Sequence, residues 1–221
     1  EVQARLQERM GEPGGTVSIG TLPSAGEALL PRLVERLRGS AIDIEVRDFD
    51  LAEEDFAART LDHDLVIAHS ASGDVPAGTA GLQTRVLAHE PLDVALPAGH
   101  PLAARAELWP DDLAGTTWIA VPQGFPFDSV LLAIEAVTGA PLTRRLRLID
   151  NRLVESFVAV GEGLALLPRF TTRPHPGTVL RPLRGVNARR ALVALARPDH
   201  FARRAVRAVV ADLERIGREL A

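Results

Sequence analysis

Residues able to do covalent chemistry are sparse in this chain and stand apart from one another. The 6 histidines, His63, His69, His89, His100, His175 and His200, show no metal-ligand spacing, and His63 and His69 with Asp64 are too loosely grouped to read as a triad. No cysteine is present, which removes a thiolate nucleophile, a Cys-based zinc site and a disulfide framework. A Gly-rich P-loop and a G-x-S-x-G elbow are also missing. What remains is the chemistry of recognition. Ser24 opens a helical pattern, and a helix N-terminus concentrates about half a positive charge with unpaired N–H groups, which suits an anion. Ser24-Ala25-Gly26-Glu27 also has the spacing of a capping box, so Ser24 reads equally as a plain cap, and Glu27 competes with an anion for the same N–H groups.

The chain that positions these groups has 221 residues, 24% charged and 46% hydrophobic, the composition of an ordinary globular protein. That length is generous for one compact α/β unit and comfortable for two small ones. No apolar run approaches the roughly 18 to 20 residues that span a bilayer, and Glu1 to Gly15 is polar rather than signal-like, so the expectation is a cytoplasmic protein without membrane contact. All 25 basic residues are arginine, the net charge is -4, and no long basic run occurs, which argues against nucleic-acid binding by these residues themselves. Arg203, Arg204 and Arg207 share a predicted helix with Asp212, Glu214 and Glu219 and read as a solvated face.

Apolar periodicity orders the elements. Val2 to Met10 reads as the last turns of a helix, broken by Glu12-Pro13-Gly14-Gly15. Thr16 to Gly20 alternates as a strand. The next helix carries Leu29, Leu30, Leu33, Val34 and Leu37 on one face, with Pro31 placed in an early turn. Ile42 to Val46 reads as a strand, Ala52 to Thr60 as a weaker helix and Leu65 to Ala68 as a third strand, a β-α-β-α-β opening. Beyond a loop from Ser72 to Gly81 come apolar runs at Leu82 to Leu87 and Leu92 to Leu96, then a one-turn helix that Asp111 would cap. A strand at Thr117 to Val121, a helix from Asp128 to Val137 closed by Gly139, and a strand at Leu146 to Ile149 follow. The run V-A-V-G-E-G-L-A-L-L-P from Val158 to Pro168 switches from helical to strand period, with Gly161 and Gly163 at the join. Strands at Thr178 to Leu183 and Ala191 to Ala196 precede one long helix from His200 to Leu220, capped by Asp199 or His200.

Several of these pieces resemble, in order, the effector-binding domain of LysR-type transcriptional regulators. They are V-S-I-G followed by Leu29-Leu30-Pro31, then Asp64-Leu65-Val66-Ile67-Ala68, His100-Pro101-Leu102-Ala103, Asp112-Leu113 and V-A-V-G-E-G-L-A-L-L-P. Leu61 stands where such families usually have a glycine before the D-L-A-I-A strand. The resemblance implies an α/β fold like the type II periplasmic binding proteins, with two α/β lobes joined by two crossover segments. Residues 1–13 would be the end of a linker helix, 14–90 with 186–221 lobe I, and 91–185 lobe II.

The function implied is that of a ligand-sensing domain that takes a small, anionic effector between its lobes and needs no cofactor. It would act as a homodimer or homotetramer, with DNA contacted only through a winged-helix domain N-terminal to this sequence. By the same resemblance Thr21, Leu22 and Ser24 in the first loop, His69 after the third strand, Gln123 and Phe125, and Asp150 and Asn151 would touch the ligand. Several have a structural alternative: a cap for Ser24, Asp150 and Asn151, an exposed loop for His69, core for Phe125 or Phe127. Two other functions stay open, a solute-binding protein of a transporter and an enzyme on the same fold.

Overall fold

A computed structural model describes residues 13–49, 51–173 and 175–221. The helix tail expected at Val2 to Met10 lies outside them. In chain order the elements are β1 (Gly14–Thr21), α1 (Pro23–Arg36), β2 (Ala41–Asp48), β3 (Leu65–Ser70), β4 (Gln83–Pro97), β5 (Thr117–Ala120), α2 (Pro126–Thr138), β6 (Thr143–Arg147), α3 (Asn151–Ala159), β7 (Ala165–Pro168), β8 (Thr178–Pro182), β9 (Arg189–Ala196), α4 (Pro198–Ala202) and α5 (Arg204–Leu220). They divide into two compact units. One holds the described residues up to His89 together with Ala191–Ala221, and the other is Glu90–Arg190. The chain therefore changes unit inside β4 and again inside β9.

In the first unit β1 lies between β2 and β3 and runs parallel to both, with Thr21 opposite Asp48 and Ile67. β9 adds antiparallel to β3, pairing Ala191 with Ser70. α1 and α5 pack together, and α5 presents Val206, Val209, Val210, Leu213 and Ile216 to the core at helical spacing. Gly217 is where α5 meets the sheet most closely, since a Cβ there would lie 1.9 Å from the Leu87 carbonyl oxygen.

Several local expectations need correction here. α1 begins at Pro23 with Leu22 as its uncapped N-cap residue, so Ser24 lies inside the first turn and closes no capping box. The preset φ of proline suits the first helical position and moves the cap two residues earlier, from Ser24 to Leu22. Pro31 is not in an early turn but in the middle of α1, where its side is exposed. Ala52 to Thr60 forms two short 3-10 turns, Glu53–Asp55 and Ala57–Leu61, because only Phe56 is an apolar anchor and no stripe sustains a full helix. The final helix is broken at Arg203, which is extended (ψ 133°), and neither Asp199 nor His200 caps α5. The break turns the Arg203 guanidinium onto Asp64 Oδ1 at 2.6 Å and the Thr16 carbonyl at 2.7 Å, so this arginine is structural and not a solvated charge.

In the second unit β4 pairs antiparallel with β7 on one side and β8 on the other, with Asp93 opposite Leu167 and Pro182. The two apolar runs expected at 82–87 and 92–96 are one strand. Glu90, between them, is fully buried because Arg190 meets it, with Nε donating to Glu90 Oε2 at 2.8 Å. The other carboxylate oxygen accepts from the Phe170 N–H at 2.7 Å. β5 and β6 form a parallel pair. α2 starts at Pro126, two residues before the sequence suggested, and Gly139 closes it in the left-handed conformation (φ 66°). In the turn Pro110–Leu113 the capping carboxylate is Asp112 and not Asp111, accepting the Trp109 N–H at 2.9 Å.

The Val158 to Pro168 join is built as its period predicts. α3 stops at Ala159, Gly161 takes φ 85°, and β7 is buried throughout. Gly163 has a different task. A Cβ there would lie 3.0 Å from the Thr117 carbonyl, and this close approach lets Leu164 exchange hydrogen bonds with Thr117 and Ile119 at 2.8 Å.

Candidate functional site

Parallel strands bring their C-terminal ends to one edge, where the following loops and helix N-termini gather polar groups. In the first unit that edge carries Thr21, Leu22 and Ser24 after β1 and His69 at the end of β3. Thr21 and Leu22 are 1% and 2% exposed. The Thr21 hydroxyl donates to the Leu22 carbonyl at 3.1 Å and the Thr21 carbonyl accepts from the Phe49 N–H at 2.9 Å. These two residues therefore fix the loop. Ser24 is half-exposed in the first turn of α1, which no side chain at its N-cap position satisfies.

His69 is buried, with its ring edge-on to Phe56 at 5.5 Å between centroids. It is a packed residue and not an exposed loop histidine. Beside it lies a cluster that the sequence reading missed. Glu53 Oε1 accepts from the Ser70 hydroxyl at 2.5 Å and from the Ser72 hydroxyl at 2.8 Å, and Ser70 Oγ accepts from the Gly73 N–H at 3.2 Å. The local signal was the S-A-S run directly after an apolar strand, but its partner in the Glu53 turn had no visible link to it.

In the second unit β5 and β6 end side by side, with Ala120 opposite Arg147. From β5 the chain passes through Val121, Pro122, exposed Gln123 and Gly124 (φ 85°) to Phe125, the residue that precedes α2. Phe125 is half-buried, whereas Phe127 belongs to the core with Trp118 and Val130. From β6 the chain reaches Asp150, whose carboxylate caps α3 by accepting the Arg152 and Leu153 N–H groups at 2.8 and 3.1 Å. Asn151 is the first residue of that helix and half-buried. Arg147 and Asp128 were missed by the sequence reading. Arg147 donates to the Val121 carbonyl at 2.9 Å and approaches the buried Asp128 carboxylate at 3.8 Å, holding the start of the Gln123 loop.

These edges offer hydroxyls, amides, an imidazole and one aromatic ring, which are means of holding a polar ligand. Among the described residues no group of three His, Asp or Glu side chains is arranged to hold a metal ion, and no helix is long and apolar enough to cross a membrane.

The family model described as "LysR substrate binding domain" matches residues 10–216. The chain belongs to that family. Among curated relatives of this LysR substrate binding domain, the transcriptional activator protein LysR of Escherichia coli K12 is 28% identical over 193 residues, 84% of this chain and 59% of that protein. The chain thus spans about three fifths of that relative's length. Among solved structures, the effector binding domain of QuiR in complex with shikimate aligns with a TM-score of 0.78 at 15% identity, covering 93% of this chain and 98% of that one. HinK, a LysR family transcriptional regulator from Pseudomonas aeruginosa, also reaches 0.78, at 19% identity over 100% of this chain and 76% of its own. At such identities the likeness is one of fold, the α/β fold like that of the type II periplasmic binding proteins.

Proposed function

We propose that this chain is the effector-sensing part of a LysR-type transcription regulator and that it binds a small anionic metabolite without turning it over. In this reading the longer protein works in the cytoplasm as a homodimer or homotetramer and contacts DNA only through a winged-helix domain N-terminal to this sequence. The observation that carries the ligand class is the β1–α1 join. The central parallel strand leads directly into α1, whose N-cap residue Leu22 makes no side-chain cap and whose first turn carries Ser24, where the helix dipole is positive and suits an anion. Family membership supports the same reading, as does the shikimate held by the QuiR domain.

Within this proposal Ser24 and the Thr21–Leu22 backbone hold the anionic group, and His69 supplies a donor from β3. Gln123, Phe125, Asp150 and Asn151 are the corresponding contributors at the strand ends of the second unit. A ligand that prefers one conformation of the domain shifts its equilibrium by the difference in affinity, typically about 1 to 3 kcal/mol, which suffices for regulation. Calorimetric titration with shikimate and a panel of small carboxylates tests the reading. Saturable binding, weakened by Ser24→Ala and by Gln123→Ala, with the ligand recovered unchanged, supports it. Equal affinity in both variants removes the site, and conversion of the ligand makes the chain an enzyme.

A further inference from the structure

The second unit contains a groove that none of the residues above line. It has a volume of about 610 Å³, within the range that accommodates metabolites, and is formed by β8, by Glu155 on α3 and by Thr172, Arg173, His175 and Pro176.

Its chemistry is set by Arg181. The guanidinium donates to the Leu180 carbonyl at 2.8 Å and the Ala103 carbonyl at 2.7 Å. Its Nε, buried, makes no hydrogen bond, and among the described residues no carboxylate pairs with it. A buried N–H without an acceptor costs free energy, and an anion in the groove that reached Nε would offset that cost. The Thr178 hydroxyl, on the same strand, is likewise buried without a hydrogen-bond partner. His175 accepts the Gly177 N–H on Nδ1 at 3.0 Å, so its neutral ring carries the proton on Nε2 and offers a donor.

Charge and shape narrow the ligand. Arg173 and Arg181 against Glu155 leave the lining one positive charge with His175 neutral, which matches a singly charged anion. Pro176, Val179 and Leu180 provide an apolar wall for its body. We infer that this groove is a second ligand site, specific for a small organic monocarboxylate with an apolar tail and independent of the β1–α1 join.

The test is calorimetric titration of the full 221-residue chain with hexanoate, with hexanol as the uncharged analogue and inorganic phosphate as a competing anion. Hexanoate is expected to bind, hexanol and phosphate to bind at least about tenfold more weakly. Arg181→Gln and Thr178→Val should each weaken hexanoate by about tenfold or more, and Ser24→Ala should leave it unchanged. Should Arg181→Gln fail to fold, Thr178→Val and His175→Ala decide the matter. No hexanoate binding, full affinity in the variants, or a loss confined to Ser24→Ala overturns the site; phosphate binding as tightly as hexanoate overturns the monocarboxylate assignment. Failure of the shikimate titration leaves these outcomes untouched, because the two sites share no residue.

Discussion

Asp64 and Ser18 clasp each other through both main chain and side chain. Asp64 Oδ2 accepts the Ser18 N–H at 2.9 Å, and Ser18 Oγ accepts the Asp64 N–H at 2.9 Å. The clasp locks the start of β3 to the middle of β1, and Arg203 and His200 from the last helices close on the same carboxylate. It gives V-S-I-G and D-L-V-I-A a shared physical reason, since the serine of one and the aspartate of the other are halves of one junction.

The Asp64 clasp makes stability depend on acid. Burial alone would raise the Asp64 pKa, but the Ser18 N–H, the Arg203 guanidinium and His200 outweigh it and hold the carboxyl below its ordinary 3.8. A lowered folded-state pKa means stability that is present above the unfolded value and lost as pH falls through the folded one. Urea unfolding should therefore find Asp64→Asn less stable than the parent at neutral pH, with the gap closing as pH falls below about 4. A gap that persists unchanged at pH 3 would show that the charge of Asp64 is not what matters.

Glu90 and Arg190 form the buried ion pair of the second unit, and removing one partner strands the other charge. Arg190→Ala and Glu90→Ala should each cost about 3 to 5 kcal/mol in chemical unfolding. The paired replacement Glu90→Leu with Arg190→Met should be much closer to the parent, because it leaves no buried charge. Additive losses in the double variant would show that the two side chains act separately.

Gly217 sets two effects against each other. Alanine favours a helix over glycine by about 1 kcal/mol, but here its Cβ would lie 1.9 Å from the Leu87 carbonyl oxygen. Backbone cannot yield as a flexible side chain does, and overpacking costs about 1 to 3 kcal/mol or more. Gly217→Ala should thus lower the melting temperature; a rise would mean that α5 moves off β4 freely.

The parts of this fold legible in the sequence were those with a local signature. Apolar alternation located β1, an unbroken apolar run located β3, and the helix-to-strand change of period located α3 and β7. The helix start at Ser24 was misread because Pro23, a residue with no side-chain cap to offer, opens α1 by its fixed φ. The ion pairs inside each unit had no local signal: Arg190 meets Glu90 across 100 positions, and Arg203 meets Asp64 across 139. Arg203 looked like one charge of a solvated face because only the extended break before α5 turns it inward. Of the proposed contacts, Asp150 was legible as a cap, whereas the Phe49 N–H that meets the Thr21 carbonyl and the Phe56 ring that packs on His69 arrive from segments distant in sequence.

Asp150 and Ser24 separate structural from binding roles. Both stand at helix starts after parallel strands, but Asp150 is the N-cap residue of α3 and satisfies two of its N–H groups, whereas Ser24 is the second residue of α1, whose N-cap residue is Leu22. Losing an N-cap costs about 1 kcal/mol, so Asp150→Ala should lower the melting temperature by a few degrees whatever it does to ligand. Ser24→Ala replaces a first-turn residue that is not the N-cap by the best helix former and should leave the melting temperature level or slightly raised. With shikimate or another small carboxylate that binds, the order should reverse, and Ser24→Ala should lose more of the ligand-induced rise in melting temperature. Equal ligand-induced rises in the parent and Ser24→Ala would take the anion away from the start of α1, and an unchanged melting temperature in Asp150→Ala would show that its cap carries no stability.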